Sequence, residues 1–315
     1  MKRRLTLYIG IGIGALALIL VPRFVTTYYT GLLTQMLIFA ILAMSLDLLL
    51  GYTGLPSLGH AAFFGTAAYT VGIFSARILD NFWLELAIGM GMVGFMAALF
   101  GLLALRAHGA YFLMITLALA QVLWGIAFGW RSMTGGDDGL PGIPRPDWGL
   151  PWSLWDTVNF YYFVLAFFII AAGIMYVIVR SPFGHALVGI RESESRMKVL
   201  GYNVWMYKYV AFILAGVFAG LAGALFVYYN GFVSPTELSI IISAEALLMV
   251  ILGGPGTLFG PAVGAGVIVF LENIISAYTE RWLLILGIIY VLVVLFAPKG
   301  VYGAIRGRLG RKAEA

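Results

Sequence analysis

The sequence predicts an all-α polytopic membrane protein of about ten transmembrane helices, with both termini in the cytoplasm. Three observations predict it. First, 62% of the 315 residues are hydrophobic and 10% are charged, with a mean hydropathy of +0.99; a soluble chain of this length could not bury so much apolar surface. Second, apolar runs long enough to cross a hydrocarbon core of about 30 Å at 1.5 Å per residue recur along the chain. Third, Lys and Arg collect on the cytoplasmic side of membrane proteins. On a ten-span path with the N terminus inside, fourteen of the 19 basic residues fall in cytoplasmic segments; only Arg23, Arg77, Arg131, Arg145 and Arg281 fall outside. That asymmetry accounts for the net charge of +5 and a pI near 9.3 without nucleic acid as a partner. The lipid bilayer is the partner that composition demands.

The spans run near 5–22, 31–50, 59–78, 83–105, 109–130, 158–179, 209–229, 240–253, 261–278 and 282–297, within one transmembrane domain over residues 1–315. The first has the basic start and apolar run of a secretory signal. No small-residue cleavage site follows and Pro22-Arg23 ends the run, so it is expected to stay as a span. The second carries Asp47 near its cytoplasmic end. It leads into a glycine-rich break, LGYTGLPSLGHAA at 50–62, containing Gly51, Gly54, Gly59 and His60. Between the fifth and sixth spans lies an outer loop, 131–157. Gly135, Gly136, Gly139, Pro141, Gly142, Pro144 and Pro146 prevent regular helix there, and Trp148, Trp152 and Trp155 suit the membrane interface. It is a cap or binding rim, or a loop lying on the headgroups.

The segment 180–208 holds seven of the chain's 33 charged residues between two apolar spans, and is read as a cytoplasmic loop. From Ala186 to Leu200 the only helix breaker is Gly189. Glu192/Arg196 and Glu194/Lys198 are paired at i,i+4 in the favourable order. Leu187, Ile190, Met197 and Leu200 fall on one arc of roughly 140°. One helix is expected, closed by Gly201. It is a docking surface or a solvated connector. Gly216, Gly220 and Gly223 in the seventh span allow close helix packing. Ser234-Pro235 suggests a helix start in an outer turn where water solvates Glu237. The eighth span carries Glu245 and leads into a second break, LGGPGTLFGPAV at 252–263, with Gly253, Gly254, Gly256 and Gly260; Glu272 lies in the ninth, which Gly260, Gly264 and Gly266 open. Residues 298–315 form a basic tail, read as cytoplasmic.

Paired Gly/Pro interruptions in the two halves point to broken helices flanking a transport pathway, because backbone freed at membrane depth must be buried or face water. They also suit tight cytoplasmic turns. Asp47, Glu245 and Glu272 are ionisable residues inside spans, either relays of an ion-coupled carrier or helix caps. The chain has no cysteine, which excludes disulfides and thiol chemistry. Its three histidines lack ligand spacing, so no metal is expected. No nucleophile elbow is present, and no enzyme activity is expected. There is no G-x-x-x-x-G-K-[ST]; Gly253–Gly260 has the glycines without the lysine. ATP, if it powers transport, must be hydrolysed by another subunit.

Five segments together carry a family resemblance: GYTGLPSLGHAAFFGTAAY at 51–69, TGGDDGLPGIPRP at 134–146, PFGHALVGIRESESRMKVLGYNV at 182–204, AGLAGAL at 219–225 and LGGPGTLFGPAVGA at 252–265. They resemble the permease subunits of bacterial ABC importers for branched-chain amino acids. The resemblance implies the ten-span arrangement of type II importer permeases in a bacterial inner membrane. It implies a second homologous permease, two ATPase subunits that bind ATP-Mg, and a periplasmic substrate-binding protein, with no cofactor on this chain. It also implies a coupling helix at 185–201 that enters a groove on the ATPase, carried here by Arg191, Glu192, Ser193, Glu194 and Gly201. The wider importer signature begins Glu-Ala-Ala six residues before its glycine, where this chain has Ser195, Arg196 and Met197. Related permeases resemble ones for urea, amides and aromatic acids. A secondary carrier driven by an ion gradient is the competing reading.

Overall fold

The computed structural model of the chain describes residues 20–78, 81–146, 149, 152–279, 281, 284–285, 287–289 and 291. Most of the first and tenth expected spans, the 298–315 tail and Trp148 lie outside the described residues. The helices are α1 Thr27–Thr53, α2 His60–Arg77, α3 Phe82–Ala104, α4 Ala110–Gly129, α5 Thr157–Arg180, α6 Pro182–Glu192, α7 Glu194–Val199, α8 Val204–Asn230, α9 Ile240–Gly253 and α10 Phe259–Tyr278. Several start on side chains that satisfy the otherwise orphaned first-turn amides. Asn81 accepts from Trp83 and Leu84, Asp156 from Val158 and Asn203 from Met206.

Two helices of 27 residues, α1 and α8, form the centre, each about 40 Å long. Around them α1 packs against α5, α8 and α10, while α8 packs against α2 and α3. The small residues of α8 are what permit this. A Cβ on Gly216 would lie 2.7 Å from that of Ala97, one on Gly220 2.8 Å from Val93, and one on Gly223 would run into the Phe64 carbonyl. Close approach without a side chain is the use of such glycines. On the outside, α3 exposes Phe95, Leu99, Leu102 and Leu103, and α5 exposes Ile169, Ile170, Ile174 and Val177, as a lipid-facing surface requires.

Among the described residues six helices, α1, α3, α4, α5, α8 and α10, are each long and apolar enough to cross a membrane. Of the eight expected spans that these residues cover, the third and eighth fall short of that standard. The eighth, α9, has 14 residues. The third, α2, is built largely of Ala, Gly and Thr between His60 and Arg77. Protein surrounds α2 in place of lipid, with α3, α8 and the turn Pro235–Leu238 against it, and it combines small residues with the fully buried Phe63 and Phe64.

The connections sort into two ends. At one, the breaks after α1 and α9 meet α6. At the other, the 131–157 loop has a single helical turn Arg131–Thr134, a 3-10 turn Gly136–Asp138 and a strand β1, Leu140–Pro141. This strand pairs antiparallel with β2, Phe232–Val233, in the register Leu140 to Val233. Arg77 at the end of α2 donates to the Ser132 carbonyl at 3.2 Å. The glycines do break the helix here: Gly135, Gly136, Gly139 and Gly142 all have positive φ.

Two expectations are corrected. Residues 186–200 do not form one helix. Ser193 is extended at φ −163° and its hydroxyl accepts from the Arg196 amide, starting α7 afresh. A serine offers the backbone this local alternative to continuing a helix. The two helices then fold together, with Gly189 leaving room for Met197, which is buried with Ala186, Ile190 and Val204. Leu200 does not share that edge; it is 69% exposed. Glu237, expected in water, is buried. Ser234 starts a 3-10 turn, Pro235–Leu238, with a reciprocal capping box, but the turn dips against α2, where Leu238 fills the space left by Gly65.

Candidate functional site

The site begins with Asp47, fully buried on α1. Its Oδ1 accepts from the Gly256 amide at 2.7 Å and its Oδ2 from the Leu258 amide at 3.1 Å. Leu258 is the residue before α10, so the carboxylate sits at a helix N terminus, where the free amides and the macrodipole favour a negative charge. Leu258 has φ +57°, a conformation that costs a branched side chain of order 1 kcal/mol or more; its bond to Asp47 helps to hold it there. One turn beyond Asp47, Gly51 leaves the room: a Cβ there would strike both the carboxylate and the Gly256 amide.

Arg191, near the end of α6, enters the same place. Its Nη1 donates to the Gly51 carbonyl. Gly54 ends α1 at φ +75°, and a Cβ on it would sit 2.8 Å from Cγ of Arg191. A Cβ on Gly256 would sit 3.1 Å from Nη1 of Arg191. The guanidinium therefore passes between the two breaks, near enough to act on the Asp47 charge. Residues read separately in the sequence, Asp47, Gly51, Gly54, Gly256 and Arg191, form one junction of three chain segments. Gly253 and Gly260 tighten it, since a Cβ on either would meet the other's carbonyl.

The first break continues away from the junction. Its irregular backbone is satisfied by hydroxyls, as membrane depth requires. Leu58 donates to Thr116 Oγ1 at 3.2 Å, Gly59 to Ser57 Oγ at 3.1 Å and Ala61 to Ser243 Oγ at 3.0 Å. His60 is fully buried beside Phe63. Neither Gly59 nor His60 reaches Arg191 by any described bond. The sequence reading missed Ser57, Thr116 and Ser243; the available signal was a lone hydroxyl in an apolar run.

Beyond Arg191 the other coupling candidates divide. Glu192 is exposed. Ser193 caps α7. Glu194 pairs with Lys208 of α8, in place of the expected partner Lys198. Gly201, at φ +88°, closes α7: its amide donates to Lys198 O and the Tyr202 amide to Met197 O, both at 3.0 Å, the paired bonds of a Schellman end. This end leaves Val199 88% and Leu200 69% exposed. Glu245 on α9 and Glu272 on α10 are within electrostatic reach of one another, apart from the junction.

At the opposite end, burial pushes the Glu237 carboxyl above its ordinary value, and hydrogen bonds from Ser234 pull it partly back. Burial pulls Arg145 down, while Tyr229 and Asp156 support its charge; a guanidinium remains protonated at neutral pH.

Residues 28–295 match the family described as "Branched-chain amino acid transport system / permease component". The chain is 28% identical to the high-affinity branched-chain amino acid transport system permease protein LivM of Escherichia coli, over 93% of this chain and 74% of that protein. It is 29% identical, over the same shares, to the LivM protein of Salmonella typhimurium. It is 30% identical to the probable branched-chain amino acid transport permease protein LivH of Methanocaldococcus jannaschii, over 42% of this chain and 44% of that one. No solved structure matches.

Proposed function

Because the chain belongs to the permease-component family of branched-chain amino acid transport systems, we propose that it forms half of the translocation pathway of an ATP-driven importer for branched-chain or related amino acids. The observation that carries the mechanism is the bond from Arg191 to the Gly51 carbonyl, beside Asp47 and its two amides. Helices α6 and α7 form the cytoplasmic coupling element within 180–208. Two ATPase subunits, each binding ATP-Mg, push on it. Arg191 passes that displacement to the ends of α1 and α10, and the two glycine breaks let those helices tilt between outward and inward openings. Glu194 and Lys208 fix the element to α8.

A second, homologous permease completes the pathway, and a periplasmic binding protein delivers substrate to the 131–157 loop. The chain crosses the inner membrane ten times with both termini and the basic tail in the cytoplasm, an orientation supported by the placement of its basic residues.

The test is leucine uptake by vesicles holding the assembled complex. Uptake is expected only with ATP and binding protein together. Uptake by this chain alone, driven by an ion gradient, sinks the proposal. Arg191→Glu is expected to cut coupled uptake about tenfold or more while ATP hydrolysis by the complex persists, since it reverses a charge beside a buried carboxylate.

A further inference from the structure

The helix ends opposite the coupling junction border an open cleft of about 350 Å³ between α1, α5, α8 and α10, at the lower end of the range of small-molecule sites. We propose that this cleft is a binding site for a small zwitterionic amino acid at the outer mouth of the pathway, with Arg145 holding its carboxylate. The identity of the ligand rests on the importer reading; the site rests on its own geometry.

Among the described residues Arg145 is the cation that lines the cleft; the Asp156 carboxylate does not line it but is near enough to support the charge of Arg145. Its Nη1 donates to the carbonyls of Leu154 and Trp155, each at 2.9 Å, and its guanidinium lies 4.9 Å from the centre of the Phe160 ring. These contacts fix the group before any ligand arrives, which lowers the cost of ordering it on binding. They use the two Nη1 hydrogens. Among the described residues no bond uses the Nε–Nη2 edge, and that edge is the fork that matches a carboxylate.

The other walls are neutral. Gln35, Tyr229, Asn230 and Asn273 bring amide and hydroxyl groups to the cleft, and Leu32 brings an apolar side chain. Asn273 donates to Val269 O at 2.9 Å and reaches Gln35 Oε1 at 3.5 Å, tying α10 to α1 at the wall. A Cβ on Gly31 would lie 3.3 Å from the Tyr229 hydroxyl, so the glycine keeps α1 close to it. A guanidinium beside neutral acceptors, with the Asp156 carboxylate in electrostatic reach, suits one negative group beside an ammonium, and the apolar wall suits a short hydrocarbon side chain.

The test uses the full chain in nanodiscs of phosphatidylcholine, with thermal melting as the readout. Leucine is expected to raise the melting temperature saturably, and leucinamide, which lacks the carboxylate, is expected to leave it unchanged. Arg145→Gln should raise the half-maximal leucine concentration about tenfold or more, the scale for losing a charge-assisted contact. Gln35→Ala, which leaves the loop contacts of Arg145 untouched, should raise it several-fold. No leucine response in the wild type, an equal response to leucinamide, or undiminished responses in both variants overturns the site. So does stabilisation by phosphatidylglycerol that leucine cannot displace, which would make the anion a lipid headgroup. ATP-dependent uptake without these binding responses removes the outer site and leaves the importer reading standing; binding without such uptake does the reverse.

Discussion

Asp47 is a single buried carboxylate that takes the amides of two residues in another break, and this makes it hard to replace. Asn would keep one acceptor and turn an NH2 group toward a backbone donor. Asp47→Asn is expected to destabilise the chain by about 2–4 kcal/mol, the combined scale of a lost charged bond and an unsatisfied amide. A melt of the purified chain would detect this, and an unchanged midpoint would remove the capping role. Glycines separate by surroundings in the same way. Gly51→Ala should abolish folded protein, because the new methyl meets carboxylate and backbone. Gly266→Ala, with nothing within 4 Å, should be neutral or stabilising by up to about 1 kcal/mol. That Asp47 is unusual was legible from its place in an apolar run. That its partners lie 209 residues and more away was not, because spacing along a chain carries no information on which helix ends meet.

At the scale of elements, the segment proposed for coupling is two helices that meet at Ser193. A rigid single helix would transmit a push along its axis; a folded pair held by Met197 can also rotate against α8. Ser193→Ala removes the cap of α7 at a cost of about 1 kcal/mol, and coupled uptake should fall while ATP hydrolysis is retained. The sequence showed the charges, the closing glycine and, apart from the exposed Leu200, the inward apolar residues Leu187, Ile190 and Met197 correctly. It concealed the break because i,i+4 charge pairs argue for one helix, whereas Glu192 and Arg196 fall on either side of Ser193 and Glu194 found Lys208 instead.

The 3-10 turn at Pro235–Leu238 gives a second prediction at this scale. The Glu237 carboxyl is raised above its ordinary 4.5 in the fold, so the folded chain holds this proton more tightly than the unfolded one. Its contribution to stability is complete below pH 4.5 and is lost as pH rises through the folded value. Melting of the wild type should therefore fall relative to Glu237→Gln over that rise. A difference of the opposite sign would show that the carboxylate is stabilised as an anion.

For the whole molecule, the two ends differ in what they present. One shows an exposed apolar pair, Val199 and Leu200, on a segment of mixed charge; the other shows a turn-rich loop clamped by a two-stranded ribbon. Val199→Asp with Leu200→Asp should leave the melt of the isolated chain unchanged, since both side chains are exposed, and should reduce co-purification of the ATPase subunits. Membrane residence and the two-ended layout were readable from composition and charge. The joining of the two glycine breaks through one arginine was not, since it depends on the third dimension alone.

The low apolarity of α2 bears on how the chain is made. A helix in which Ala, Gly and Thr make up half the residues, begun by a histidine and ended by an arginine, gains less from leaving water for lipid than its neighbours do, so it holds less firmly to the bilayer by itself during synthesis. Its native neighbour α8 is translated long afterwards. Until then α2 must be sheltered by the insertion machinery or by α1 and α3, and the chain passes through a stage in which a helix that ends up packed inside protein is the least committed to the membrane.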